Sequence, residues 1–167
     1  MAAWLSVLCE VDDLLEQESR LNFVRDVLLD STSILQGGLV DLDVKSESAH
    51  TPGEMAAASK VHQISYAFRN HVQQLLSPDL YCLFIREITE HWVGAMKESH
   101  FQKQPCPNVE HYMEIRAQTC GLPPFFTLLE SCWMSSYHKR STALQGLQGC
   151  VEIIVGIQND LIGLEKD

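Results

Sequence analysis

Along most of this chain apolar residues return every three or four positions, the period of a helix face rather than the alternation of a strand. Met55, Ala58, Val61, Ile64, Phe68, Val72 and Leu75 make one such stripe. Tyr81, Phe84, Ile85, Ile88, Trp92, Ala95 and Met96 make a second, opened by "SPD", with Ser77 as the expected N-cap and Pro78 in the first turn. "QPCPN" (104–108) breaks the chain, "VEHYMEIRAQT" resumes a helix, "CGLPP" (120–124) interrupts it, and "FFTLLESCWM" continues. The last helix is expected from about Thr142 to the end, with Gly146, Gly149 and Gly156 along it. A glycine inside a helix costs about 1 kcal/mol relative to alanine, so close packing against a neighbouring helix is the expected compensation. "GGLVDLDVKSESAHTPGE" (37–54) reads as the one long connection, a polar surface loop. No strand alternation persists and there is no internal repeat. The expected class is all-α.

Composition narrows the function more than the fold. A chain of 167 residues can bury one core, and 46% hydrophobic with 20% charged residues reads as globular. The net charge of −10, with lysines and arginines scattered, argues against a nucleic-acid surface and fits a site that concentrates cations. No apolar run reaches the roughly 18 residues of a membrane span. The start, "MAAWLSVLCEVDD", has no basic n-region, so a cleaved signal peptide is not expected. Cys9, Cys82, Cys106, Cys120, Cys132 and Cys150 include no C-x-x-C pair, which suggests neither a zinc site nor a disulfide scaffold. A reducing compartment, by default the cytoplasm, is expected.

Three stretches could carry chemistry. In "VDDLLEQE" (11–18), Asp12 and Glu16 are four apart on a helix and share a face, with Asp13 adjacent. Carboxylates aimed at one spot repel unless a cation or proton lies between them, and Mg²⁺ suits one or two carboxylates completed by water and phosphate oxygens. Taken alone the motif is weak, and a solvated acidic face is the favoured reading. In "NDLIGLEKD" (159–167), Asn159 and Asp167 offer hard oxygen ligands while Lys166 could meet an anion held by the metal. Alone, this too reads as an ordinary polar helix end. In "HYMEIRAQTCGLPP" (111–124), Arg116 lies four residues before a Cys-Gly break, where backbone groups left unpaired could address a ligand.

Together the three are far more specific. Their order and approximate spacing resemble those of class I terpene synthases, microbial-type terpene cyclases, across essentially the whole chain. "DDLLE" is similar to the family's aspartate-rich motif, D-D-x-x-D/E. "NDLIGLEKD" is similar to its second metal motif, N-D-x-x-S-x-x-K-E. "YMEIRAQTCG" resembles the helix-break segment whose arginine senses the diphosphate, and "HWVGAMKES" the helix before it.

The resemblance implies an all-α helical bundle and a lyase of terpenoid biosynthesis. Its activity would be Mg²⁺-dependent ionisation and cyclisation of an acyclic prenyl diphosphate, farnesyl diphosphate by default, with release of diphosphate. It implies Asp12 as the main first-motif metal ligand supported by Asp13 and Glu16, with Asn159 and Asp167 on the second site, three Mg²⁺ ions in all. Arg116 and Lys166 would contact the diphosphate, and Thr119 and Cys120 would link the sensor to the developing cation through backbone groups. Phe68, Trp92, Phe125, Phe126 and Trp133 are candidate aromatics for sheltering that cation, with plain core the favoured reading for each. The resemblance implies no nucleic acid and no membrane span, and leaves the oligomeric state open.

Two local departures are visible. Gly163 stands where the family has Ser or Thr, removing one metal ligand, and Asp167 stands for the usual Glu. A larger one is length, because Met1 precedes Asp12 by only 11 residues and the chain stops at the last expected ligand. Residues 1–167 are therefore expected to be a partial catalytic domain, incomplete at both ends. In that case the apolar faces of "MAAWLSVL" and "GCVEIIVGI" should face water as a patch. The alternative function is a truncated, non-catalytic helical remnant. A chain-elongating prenyltransferase is disfavoured by the Asn-headed second motif.

Overall fold

The structure, a computed structural model, describes residues 2–17, 21–40, 51–102, 108–133 and 141–164. Every regular element among them is a helix: α1 (Ala2–Gln17), α2 (Leu21–Leu35), α3 (Pro52–Val72), α4 (Pro78–Gln102), α5 (Val109–Thr119), α6 (Leu122–Trp133) and α7 (Thr142–Leu164). The chain divides into two compact units, Met1–Tyr81 and Cys82–Asp167.

In the first unit α3 packs on both α1 and α2. Val7, Val11 and Leu14 fall on one face of α1, while Phe23, Val24, Val27, Leu28, Ile34 and Leu35 fill that of α2, all buried. Helix α3 answers with Val61, Phe68 and Val72, but Met55 and Leu75, expected on the same stripe, are exposed. The helix starts before the sequence stripe and ends at Val72, short of Leu75, and its buried face includes Glu54, His62 and Ser65 instead. The buried Ser65 hydroxyl donates to the Val61 carbonyl at 2.7 Å, so the Ser31 hydroxyl, 2.8 Å away, must donate to Ser65.

Helix ends are set by local chemistry. The expected connection over 37–54 is shorter than it reads, because Pro52, Gly53 and Glu54 form the first turn of α3. Thr51 caps that turn in a reciprocal capping box with Glu54. At the end of α2 Gly37 takes a positive φ of 100°, and the N–H groups of Gly37 and Gly38 return to the Ile34 and Ser33 carbonyls. Arg69 Nη1 adds a bond of 2.9 Å to the Ile34 carbonyl. Ser77 does not cap α4 through its side chain: its carbonyl receives the Tyr81 N–H, while its buried hydroxyl has no hydrogen-bond partner among the described residues.

In the second unit α7 packs on α5 and α6. Phe84, Ile85, Ile88, Trp92 and Ala95 of α4 are buried as their spacing predicts. The break between α5 and α6 is narrower than "CGLPP": Cys120 caps α5, Gly121 takes φ 73°, and α6 already begins at Leu122 with both prolines in its first turn. Among the described residues no helix is long and apolar enough to cross a membrane.

Candidate functional site

The sequence places Arg116 one turn before the end of α5, and the structure surrounds it with partners from α4 and α7. Gly156 of α7 is what permits the approach. A Cβ there would sit 2.9 Å from Arg116 Cγ, so only a glycine lets the α7 backbone lie against the arginine stem. One turn further along α7, Asp160 Oδ1 accepts from Arg116 Nε at 2.9 Å and pairs with Nη2 at 2.8 Å. Tyr112, one turn before Arg116 on α5, donates its hydroxyl to Asp160 Oδ2. Arg116 Nη1 donates to the Thr119 hydroxyl at 3.0 Å and lies 3.4 Å from Glu98 of α4.

The network is mostly out of water, with side-chain exposures of 16% for Arg116, 17% for Glu98 and 29% for Asp160. Burial alone would lower the Arg116 pKa, but the Glu98 and Asp160 carboxylates outweigh it and hold the guanidinium above its ordinary value. Burial, reinforced by the hydrogen bond to Asp160, pushes Tyr112 up to about 12, so the phenol stays a donor.

The same segment fixes how α4 meets α5. A Cβ on Gly94 would lie 2.8 Å from Gln118 Cβ and 3.2 Å from Thr119 Cγ2. The His91 ring Nδ1 is 2.9 Å from the Gln118 carbonyl and donates to it. Burial, opposed by that bond and aided by the charge of Arg116, lowers His91 to about 4, so the ring is neutral at pH 7. The expectation that the helix break leaves backbone groups unpaired beside Arg116 is not met at Arg116 itself. Its carbonyl receives the Cys120 N–H at 3.0 Å and the Thr119 hydroxyl at 3.4 Å. Burial raises the Cys120 thiol, which donates to the Ala117 carbonyl and is not set up as a nucleophile.

The carboxylates of the first motif are in a different setting. Asp12 and Asp13 lie on the exposed side of α1, whose opposite face buries Val7, Val11 and Leu14. Lys60 of α3 pairs with Glu10 at 2.5 Å, and Asp13 adds to the negative field at that lysine. The Glu16 side chain, Lys166 and Asp167 lie outside the described residues, as does the Trp133 side chain. Asn159 is exposed on α7. Phe68 and Trp92 are core, while Phe125 and Phe126 are half-buried. Asp12 and Asp13 belong to the first unit and Asn159 to the second.

Four residues of the arginine cluster went unassigned in the sequence: Glu98, Tyr112, Gly156 and Asp160. Tyr112 and Gly156 each carry a retrievable signal, a spacing of four to Arg116 and to Asp160 respectively. Asp160 stands in the motif itself, but a reading for metal ligands passes over it.

Hard oxygen donors at Asp12, Asp13 and Asn159 fit Mg²⁺, which takes few protein ligands and keeps its waters. Among the described residues no three His, Cys, Asp or Glu side chains gather closely enough to hold a metal without such help. A cleft of about 760 Å³ between α4, α5 and α7 is lined by five glutamates (Glu87, Glu90, Glu110, Glu114 and Glu152) against one cation, Arg86, with Met113 and Ile153 among its apolar residues. The excess of carboxylates does not suit a diphosphate.

A family model described as terpene synthase family 2, C-terminal metal binding, matches residues 3–167. No curated protein matches the chain, and no solved structure does.

Proposed function

Because the chain belongs to terpene synthase family 2, matched over the C-terminal metal-binding part, we propose that it ionises an acyclic prenyl diphosphate, with farnesyl diphosphate the default, and releases diphosphate. The observation that carries this reading is the family match across nearly the whole chain. The arginine cluster at the α5 break supports it. A half-buried guanidinium oriented by carboxylates of two other helices, beside the second motif, fits a role in directing an anion better than an ordinary surface charge.

Asp12, Asp13 and Glu16 would be the metal ligands of the first motif, Asn159 and Asp167 those of the second, and Arg116 and Lys166 would contact the diphosphate. When bound, Mg²⁺ supplies positive charge against the departing diphosphate. Arg116 cannot recruit that anion by charge alone, since Glu98 and Asp160 already outnumber it. Its contribution is direction: a planar fork whose N–H groups are fixed before the substrate arrives. Thr119, bonded to Nη1, transmits any shift of the guanidinium to the end of α5. The same reading treats residues 1–167 as a catalytic-domain segment acting in the cytoplasm.

Incubating the chain with farnesyl diphosphate and Mg²⁺ and analysing the volatiles tests the reading. Release of a hydrocarbon that stops on chelation is expected. Mg²⁺-independent release, or none from any prenyl diphosphate length, favours the non-catalytic alternative.

A further inference from the structure

Within the second motif, neighbouring side chains do different things. Asn159 is exposed, whereas Asp160, about 100° further round α7, is turned into the protein. Both of its oxygens are engaged there, Oδ1 by two nitrogens of Arg116 and Oδ2 by Tyr112. We infer that Asp160 is a positioning residue that fixes the Arg116 guanidinium for a diphosphate and is not itself a metal ligand. The role rests on the prenyl diphosphate reading, and it makes that site's geometry explicit.

A guanidinium has five N–H groups. Asp160 takes the one on Nε and lies 2.8 Å from Nη2 as an ion pair; Thr119 and Glu98 take those on Nη1. Among the described residues, this leaves Nη2, on the edge of the fork, to turn an N–H toward an incoming anion. The contacts are unequal. Those to Asp160 are 2.9 and 2.8 Å, whereas those to the Glu98 oxygens are 3.4 and 3.5 Å. Charge-assisted bonds strengthen as they shorten, so Asp160 is the fixed anchor and Glu98 the carboxylate that a diphosphate oxygen displaces. Gly156 sets the anchor by bringing the α7 backbone against the arginine stem, one helical turn before Asp160.

The test uses the full chain with three readouts. In Mn²⁺ titrations followed by electron paramagnetic resonance, Asp160→Asn should keep the affinity within about twofold, while Asn159→Ala weakens it. In calorimetry with inorganic pyrophosphate and Mg²⁺, Asp160→Asn should weaken binding about tenfold and Tyr112→Phe a few-fold, the scale of one bond to a charged group. In metal-free protein, the ¹⁵N–¹H resonance of Arg116 Nε, assigned with Arg116→Lys, should move in Asp160→Asn.

Equal loss of Mn²⁺ affinity in Asp160→Asn and Asn159→Ala overturns the proposal, because Asp160 would then be a ligand. So does an unmoved Arg116 resonance, or an Asp160→Asn protein that is less stable yet binds pyrophosphate normally once folded. Tyr112→Phe keeps the test alive if Asp160→Asn does not fold. A wild-type chain that takes neither Mn²⁺ nor pyrophosphate refutes the prenyl diphosphate reading and the anion-directed role with it. A moved resonance would then show a purely structural ion pair.

Discussion

The two compact units bury their polar groups in different ways. In Met1–Tyr81 the buried polar groups are separate, the hydroxyls of Ser31 and Ser65, the His62 ring and the capping Glu54, set in an apolar interior, and the Lys60–Glu10 pair lies at the surface. In Cys82–Asp167 charges are linked and largely withdrawn from water: Arg116 half-buried with Glu98 and Asp160, and Glu87 buried against the Thr127 hydroxyl at 2.5 Å. Hydrocarbon in the first unit stabilises by exclusion of water and tolerates approximate fit. Buried ion pairs contribute little net stability once desolvation is counted, so their presence points to a demand other than folding. The unit with these charges is also the one with the segment proposed to meet the diphosphate.

The contrast is tested most heavily by truncating the aliphatic interior. Leu35, fully buried at the end of α2, should cost about 2–5 kcal/mol as Leu35→Ala, read as a fall in denaturant midpoint. The loss should be the same at low and high salt. A salt-dependent loss would show that the first unit also leans on charge.

Acid should separate the units next. His91 has a folded pKa of about 4 against an ordinary 6.5, with burial the main cause. The unfolded chain therefore binds the proton more readily, and stability present above pH 6.5 drains away as pH falls toward 4. The shift corresponds to about 3 kcal/mol. His91→Gln should flatten that part of the profile. In the first unit the two shifts oppose each other. Burial lowers His62, so acid destabilises there too, but burial raises Asp30, so the folded state gains a proton at lower pH and recovers stability. His62→Gln should change the profile less than His91→Gln, and the reverse ranking would break the comparison.

Arg116→Ala leaves Glu98 and Asp160 facing each other without a cation. Allowing for their partial exposure, a loss of about 2–3 kcal/mol is expected. Arg116→Lys should keep much of the stability but not the forked geometry, so pyrophosphate affinity should fall further than the melting temperature. If the lysine variant binds pyrophosphate as well as wild type, charge alone is sufficient and the fork is not needed.

Helical period carried the fold. The limits of α5 and the buried row Phe84, Ile85, Ile88, Trp92 are legible before any coordinates. The apolar run 149–157 faces water only in places: Ile154 is 62% and Ile157 37% exposed, while Val151, Ile153 and Val155 are half-buried. The counterpart at the start holds only in part, since Leu5 is exposed but Val7 is buried. Motif spacing supplied the family and Arg116. What it could not supply is what Arg116 touches, because Glu98 and Asp160 reach it from other helices, 18 and 44 residues away in sequence. Nor could it separate Asp160 from Asn159, since the direction of a side chain depends on which face of α7 is covered.

The smallest expected effect tests that same covering. All three α7 glycines read alike in sequence, as positions where a neighbouring helix comes close. Among the described residues only Gly156 behaves so: a Cβ there would collide with Arg116, while one on Gly146 or Gly149 would meet none of them within 4 Å. Alanine restricts the unfolded backbone and favours the helix, so Gly146→Ala and Gly149→Ala should each stabilise by about 0.5–1 kcal/mol, read as a raised melting temperature. Gly156→Ala gains the same propensity but must push Arg116 Cγ aside, and the guanidinium moves with it. It should gain no stability and should weaken pyrophosphate binding in step with Asp160→Asn. Should Gly146→Ala or Gly149→Ala instead destabilise the protein, something must cover that stretch of α7 in solution. The exposed row Leu147, Ile154 and Leu161 would then be an interface rather than a bare face.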